Sequence, residues 1–230
     1  LTIPGYEQWR PRATVDIKRL FEPGSHLVVR ATLVPKGGRV EDLPGIASLK
    51  FALADTSREP GICMNWPLQM EDDALFDLKL DELPAFPGFL DEHRQTNEVK
   101  KTAKDAAGRP YGESRLNSFD FGGRATLSVT CVLTDGRQLI GTLKTADGEE
   151  GRVRLPYTKK AGWIADSWRR QHNVAGLPED HDEESVDGQK YKGDGYTLYE
   201  EYRGWVVNGR HVEGDPKQKD FFVLNLIGAD

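Results

Sequence analysis

Along most of this chain hydrophobic and polar residues alternate one for one. In the stretch from His26 to Val34, Leu27, Val29, Ala31 and Leu33 fall on one face, while Val28, Arg30 and Thr32 take the other. Leu49, Phe51 and Leu53 repeat the pattern, as do Phe76, Leu78 and Leu80. The clearest instance runs from Arg124 to Leu133. Ala125, Leu127, Val129, Cys131 and Leu133 share one face, and Arg124, Thr126, Ser128 and Thr130 share the opposite one. Successive side chains of a strand point to opposite sides, so a period of two sets one face on a core and the other in water. Thr134-Asp135-Gly136-Arg137 then reads as a hairpin turn, after which Leu139, Gly141 and Leu143 resume the rhythm. Several such strands with no helical period between them predict a mainly β chain built as an antiparallel sandwich.

Two regions depart from this texture. Phe86 to Arg115 carries Pro87, Gly88, Gly108, Pro110 and Gly112 around the charged run Glu98-Val99-Lys100-Lys101-Thr102-Ala103-Lys104-Asp105. It is too long for an ordinary hairpin loop and reads either as a floppy insertion or as a short surface helix from about Asn97 to Ala107. After Pro156-Tyr157 the period changes. Trp163 to His172 is helical, with Ile164 and Trp168 four apart on one stripe, and a second helical stretch aligns Leu198, Tyr202 and Trp205 or Val206. Helix, loop and helix make a small unit that buries little core and needs a metal or a neighbouring domain to stay folded. The organisation expected is a lead-in over 1–12, a sandwich over 13–157, and a helix–loop–helix unit with its tail over 158–230.

Charge adds a second signal. The chain of 230 residues has a net charge of −6, and its acids gather between Glu179 and Asp194: Asp180, Asp182, Glu183, Glu184 and Asp187, opposed by Lys190 and Lys192. Such a run is either a solvated loop or a cation trap, and it repels phosphate backbones. Basic residues elsewhere are scattered, so nucleic acid is excluded as a partner. No apolar run approaches the ~20 residues of a membrane span, so no membrane insertion is expected. The start at Leu1 reads as a mature or excised fragment, with secretion permitted. Cys63 and Cys131 are compatible with one disulfide or with two buried thiols. A bond between them would close a loop worth about 4 kcal/mol.

Most chemistry-bearing patterns are absent from the sequence. It holds no CxxC pair for a thiolate zinc site, no HExxH, no Gly-x-Ser-x-Gly elbow and no phosphate loop. The five histidines make no pair at helical spacing, although His181 sits inside the acidic run as a candidate ligand. Acidic pairs such as Glu183-Glu184 and Glu200-Glu201, with Trp66, Trp163, Trp168 and Trp205, are the raw material of a sugar site. Trp163, Trp168 and Trp205 fall on helical stripes, however, and are expected to seat the helical unit on the sandwich.

The most specific stretch is Gly193-Asp194-Gly195-Tyr196-Thr197-Leu198-Tyr199-Glu200-Glu201-Tyr202-Arg203-Gly204. In a calcium loop a carboxylate precedes a turning glycine, a backbone carbonyl follows it, and six residues after the glycine a second carboxylate closes the shell from a helix. Asp194, Gly195, the Tyr196 carbonyl and Glu201 match those places. The earlier acidic places hold Lys190 and Lys192. Either Asp180, Asp182, Glu184 or Asp187 supplies the missing ligands to a Ca2+ ion, or a lysine ammonium stands where the ion would be.

With Ile164-Ala165-Asp166-Ser167-Trp168 before it, this stretch resembles the EF-hand-like, thrombospondin type 3-like calcium repeat of bacterial secreted and surface proteins. Residues 13–157 are similar in texture to bacterial immunoglobulin-like domains. Asp215-Pro216-Lys217-Gln218-Lys219-Asp220-Phe221-Phe222-Val223 resembles a segment that follows such repeats, in some proteins ahead of a zinc-peptidase-like region. The resemblance implies an immunoglobulin-like β-sandwich with an EF-hand-like appendage, outside the cell or on its surface. It implies a non-catalytic structural or adhesive module of a larger protein. Its partners would be other domains of the same polypeptide and a protein or carbohydrate surface ligand. The rival expectation is the accessory, non-catalytic region of a secreted zinc metallopeptidase or glycosidase.

Overall fold

The computed structural model describes residues 1–15, 22–58, 76–145, 148–159, 162–182 and 193–223. Cys63, Trp66, Glu183, Glu184, Asp187, Lys190 and Lys192 lie outside these residues, and with them the Cys63–Cys131 pairing.

The alternating segments form strands, and every strand pairing is antiparallel. One sheet contains β1 (Ser25–Thr32), β7 (Pro110–Ser118) and β3 (Leu78–Asp81) in that order, with β6 (Ala103–Lys104) also on β7. The other runs β12 (Val153–Leu155), β8 (Ala125–Leu133), β2 (Ile46–Ala54), β5 (Thr96–Val99) and β4 (Gly88–Asp91), with β9 (Gln138–Ile140) also on β8. A small hairpin of β10 (Leu143–Thr145) and β11 (Gly148–Glu150) lies between β9 and β12 in the chain. The protein is therefore mainly β, an antiparallel sandwich with a small helical part.

The core forms where the two sheets face each other. Val29 of β1, Leu78 of β3 and Leu116 of β7 share one cluster with Phe51 of β2 and Leu127 and Val129 of β8. Along β8 the alternation is complete: Ala125, Leu127, Val129, Cys131 and Leu133 are buried, while Thr126, Ser128 and Thr130 are half-exposed. Burial pushes the Cys131 thiol above its ordinary range. Residues of the lead-in also enter this core, since Ile3, Tyr6 and Trp9 are buried in it and Thr2 bridges Arg30.

The stretch read as an insertion or surface helix is sheet. Asn97 and Val99 face inward at 0% exposure, with Glu98 between them only half-buried. One inward place is an amide, which hides the period of two. Asn97 bridges the sheets, its Nδ2 donating to Ser114 Oγ at 2.9 Å and to the Asp81 carbonyl at 3.3 Å. Gly88, on β4 opposite Val99, is needed beside it, because a Cβ there would lie 2.0 Å from Asn97 Oδ1. The second helical stretch is also shorter than its period suggested, because Gly204, at φ +71°, ends it. Trp205 and Val206 belong instead to β13 (Trp205–Val207), which turns through Asn208-Gly209 into β14 (Arg210–Val212). Both turn residues have positive φ, as a type I′ hairpin requires. Among the described residues, no helix is long and apolar enough to cross a membrane.

Replacing Val129, 1% exposed at the centre of β8, by aspartate should abolish folding. An unpaired carboxylate there costs several kcal/mol against a net stability of about 5–15 kcal/mol. Urea unfolding followed by circular dichroism checks this, and a soluble Val129→Asp protein with a wild-type midpoint would contradict it.

Candidate functional site

The helical unit begins at α1 (Asp166–His172), where Asp166 in the first turn and Arg169, Arg170 and His172 in the last complement the helix dipole. Asn173, in the left-handed conformation, ends the helix. Trp168 packs with Ile164, Ala165, Val174, Leu198 and Tyr202 in a small core of its own. Arg169 is buried beside it, donating from Nη1 to the Leu177 carbonyl at 2.7 Å and pairing through Nη2 with Glu179 Oε1 at 3.5 Å. The same Glu179 oxygen accepts from the backbone N–H groups of Trp163 and Ile164. Glu179, the first acid of the run, is therefore tied into the scaffold that carries the loop.

Backbone bonds fold the start of the acidic run against the calcium-like segment. The Leu198 N–H donates to the His181 carbonyl at 2.8 Å, Tyr199 to Glu179 at 3.0 Å, and Gly193 to Asp182 at 3.1 Å. Asp182 Oδ1 accepts from the Gly195 N–H at 3.2 Å. Asp194 Oδ1 accepts from the Tyr196 N–H at 3.0 Å, and its Oδ2 accepts from the Asp220 N–H. Gly195 sits at φ +96°, the turn the loop pattern demands. A complete capping box then starts α2 (Leu198–Arg203). Thr197 Oγ1 accepts from the Glu200 N–H, and Glu200 Oε2 accepts from the Thr197 N–H at 2.7 Å. Glu200 is thereby committed to the cap, and its neighbour Glu201 is turned inward at 2% exposure.

Of the proposed metal ligands, Asp182 and Asp194 are thus drawn to the same turn. Glu201 is buried on α2, Tyr196 is half-buried with its ring against Trp205 and Phe222, and Asp180 is exposed. Asp187 lies outside the described residues. Among the described residues, no three His, Cys, Asp or Glu side chains form a group that could hold a metal ion. Asp220 joins the turn, although nothing in the loop spacing marks it. Burial, then the charges of Asp194 and Asp215, push its carboxyl above the ordinary range.

A second constellation, also unmarked in the sequence, seats the helical unit on the sandwich. Arg203, the last residue of α2, pairs through Nη2 with Asp120 Oδ2 at 3.0 Å, with both side chains almost wholly buried. Its Nε donates to the Phe121 carbonyl at 3.2 Å, and the Tyr199 hydroxyl donates to the Gly122 carbonyl at 3.1 Å. A Cβ at Gly122 would stand 2.7 Å from Arg203 Cγ, so only glycine admits this approach. The His211 ring stacks on Phe121 with centroids 3.6 Å apart, and its Nε2 meets the Arg203 carbonyl at 2.7 Å. Burial holds His211 below the ordinary histidine range, against the pull of that hydrogen bond. Arg10 pairs with Glu213 at 2.6 Å on the flank, and the Arg124 guanidinium lies over the Trp163 ring. Burial, then the neighbouring Asp77, raise Asp120 well above the ordinary carboxyl range despite Arg203. Trp168 fills the unit's own core rather than the seam, and Trp205 meets Tyr196 and Phe222.

Comparison with known proteins finds no matching family model, no matching curated protein and no matching solved structure. Function is therefore read from the chemistry of these two constellations.

Removing the guanidinium should be severe, because breaking a buried pair from one side costs about 3–5 kcal/mol. Arg203→Met is expected to lower the thermal midpoint by far more than Arg137→Met, whose ion pair with Asp135 is exposed. Equal, small shifts in the two variants would show that the buried pair does not hold the seam.

Proposed function

We propose that this chain is a non-catalytic structural module of a larger secreted or cell-surface protein, in which the helical unit is clamped to the sandwich as a stiff spacer. The immunoglobulin-like texture of 13–157 and the calcium-repeat resemblance of 164–203 support that placement. The observation that carries the proposal is the buried Arg203–Asp120 pair, flanked by the Phe121–His211 stack and the Arg10–Glu213 bridge. These contacts spend buried charge on fixing the angle between two units, which a spacer needs. The other domains of the same polypeptide are its expected partners.

In this proposal the loop is a calcium-responsive staple. Asp182 and Asp194 close the turn around Gly195, and the Asp220 carboxyl sits in the negative field of Asp194 and Asp215. A divalent cation would relieve that crowding, since an added positive charge favours the ionised carboxyls. Asp194, Glu201 and the Tyr196 carbonyl are the ligands the motif assigns, with Asp182 taking one of the places that Lys190 and Lys192 vacate.

Thermal unfolding in millimolar calcium and in chelator tests the staple. A bound ion should raise the midpoint through mass action, by about 4 kcal/mol at a thousandfold excess over its dissociation constant. Glu201→Gln should abolish that response. Superimposable wild-type melts in calcium and chelator would leave a lysine ammonium, not an ion, as the occupant of the loop.

A further inference from the structure

We propose that the outer face of the six-stranded sheet pairs with the same face of a second copy of this chain, about a two-fold axis that runs along the strands between β5 and β2. The pairing needs neither calcium nor the spacer function. One row of side chains crosses five strands. Phe89 of β4 stands opposite Glu98 of β5, Glu98 opposite Lys50 of β2, Lys50 opposite Thr130 of β8, and Thr130 opposite Ile140 of β9. Leu49, Phe51, Asn97, Val99, Val129 and Cys131, the sequence neighbours of the three central residues, are all buried, so the row lies on the outward face.

The solvated face of an antiparallel sheet is ordinarily polar. This row begins and ends on large apolar side chains instead, Phe89 at 67% exposure and Ile140 at 63%, four strand spacings or about 19 Å apart. One exposed apolar residue by itself means little. These two are set apart by their register with the charges between them. Lys50 is exposed and Glu98 half-buried, and they stand directly across from each other. Among the described residues, neither is in an ion pair.

A two-fold axis along the strands reverses the order of a row. With the axis between β5 and β2, Glu98 of each copy lies over Lys50 of the other, and charges left unpaired within one chain form two pairs between chains. The same operation sets Phe89 over Thr130 of the second copy, a small residue with Ile140 at its side, so the ring meets a step with an apolar wall. The next row agrees. Asp91, Thr96, Ala52 and Ser128 are half-buried and in register on the same four strands. Reversal sets Asp91, which Arg94 holds within its own chain, over the Ser128 hydroxyl, and Thr96 over Ala52. No like charges are directly opposed in either row. An axis across the strands would instead lay Glu98 on Glu98 and Lys50 on Lys50, a costly juxtaposition. An isologous interface requires a patch that complements itself, and both rows meet that condition. Packed sheets keep their strands within about 30° of each other, so neighbouring rows stay matched. Four overlapping strands make a small interface, which sets the expected association in the micromolar range.

Sedimentation equilibrium of the full chain, from micromolar to near-millimolar concentration, tests the pairing. The wild type should pass from monomer to dimer and no further, and Phe89→Ser should weaken the dimer about tenfold or more. Lys50→Glu and Glu98→Lys should each be monomeric alone, because each brings like charges together across the axis. Mixed in equal amounts, the two variants should dimerise again, since every facing position then carries opposite charges. Repair of charges within one chain cannot produce that recovery. Circular dichroism melts establish that each variant is folded. If Glu98→Lys does not fold, carbodiimide cross-linking of isotope-labelled with unlabelled wild type decides. A Glu98–Lys50 link joining one chain of each kind supports the pairing, and its absence overturns it. A wild type that stays monomeric, a dimer indifferent to Phe89→Ser and Lys50→Glu, or a mixture of folded variants that stays monomeric would each overturn the proposal.

Discussion

A guanidinium buried against a buried carboxylate is the constraint on which the C-terminal third of this protein depends. The helix that carries Arg203 has only six residues. Isolated helices of that length are unstable in water, because nucleation costs more than one or two turns return. The capping box at Thr197 and Glu200 sets where α2 starts, and the small cluster around Trp168 gives it one apolar wall. Docking supplies the other wall, since Arg203 reaches Asp120 and Phe121 in the 119–124 segment between β7 and β8 of the sandwich. Residues 179–182 are tied to the same helix, because the N–H groups of Leu198 and Tyr199 on α2 donate to the His181 and Glu179 carbonyls.

This arrangement gives the two acid groupings different roles. Around Gly195, carboxylates accept from backbone amides in a partly solvated turn. At the seam, Asp120 is out of water and holds the Arg203 guanidinium of the helical unit. Under the proposed function the first grouping is the calcium-responsive staple and the second is the clamp between the two units. In that proposal both bear on how the helical unit sits on the sandwich, the property a spacer needs to hold.

The sandwich was legible in the sequence wherever inward places are apolar. Ala125 to Leu133 shows its buried face residue by residue, and β1 and β2 do so nearly as well. The alternation failed at β5 because Asn97, an amide, occupies an inward place and is satisfied across the sheets by Ser114. It failed again at Trp205, where the apolar spacing of a helix continues past Gly204 into a strand. The turn at Gly195 and its flanking acids were legible because a loop motif is local. The seam was not, since Asp77, Asp120 and Arg203 are far apart in the chain and each alone looks like an ordinary surface charge. Asp220 was hidden for the same reason: only the fold brings it to Asp194.

Native-state hydrogen exchange tests most directly whether the buried Arg203–Asp120 pair makes sandwich and helical unit one cooperative body. The amides to compare are Val129 at the centre of β8 and Tyr202 on α2. If the pair joins the units, both should exchange only through global opening, with the same free energy and the same dependence on denaturant. Exchange of Tyr202 through a separate opening of much lower free energy, with Val129 still fully protected, would contradict the claim.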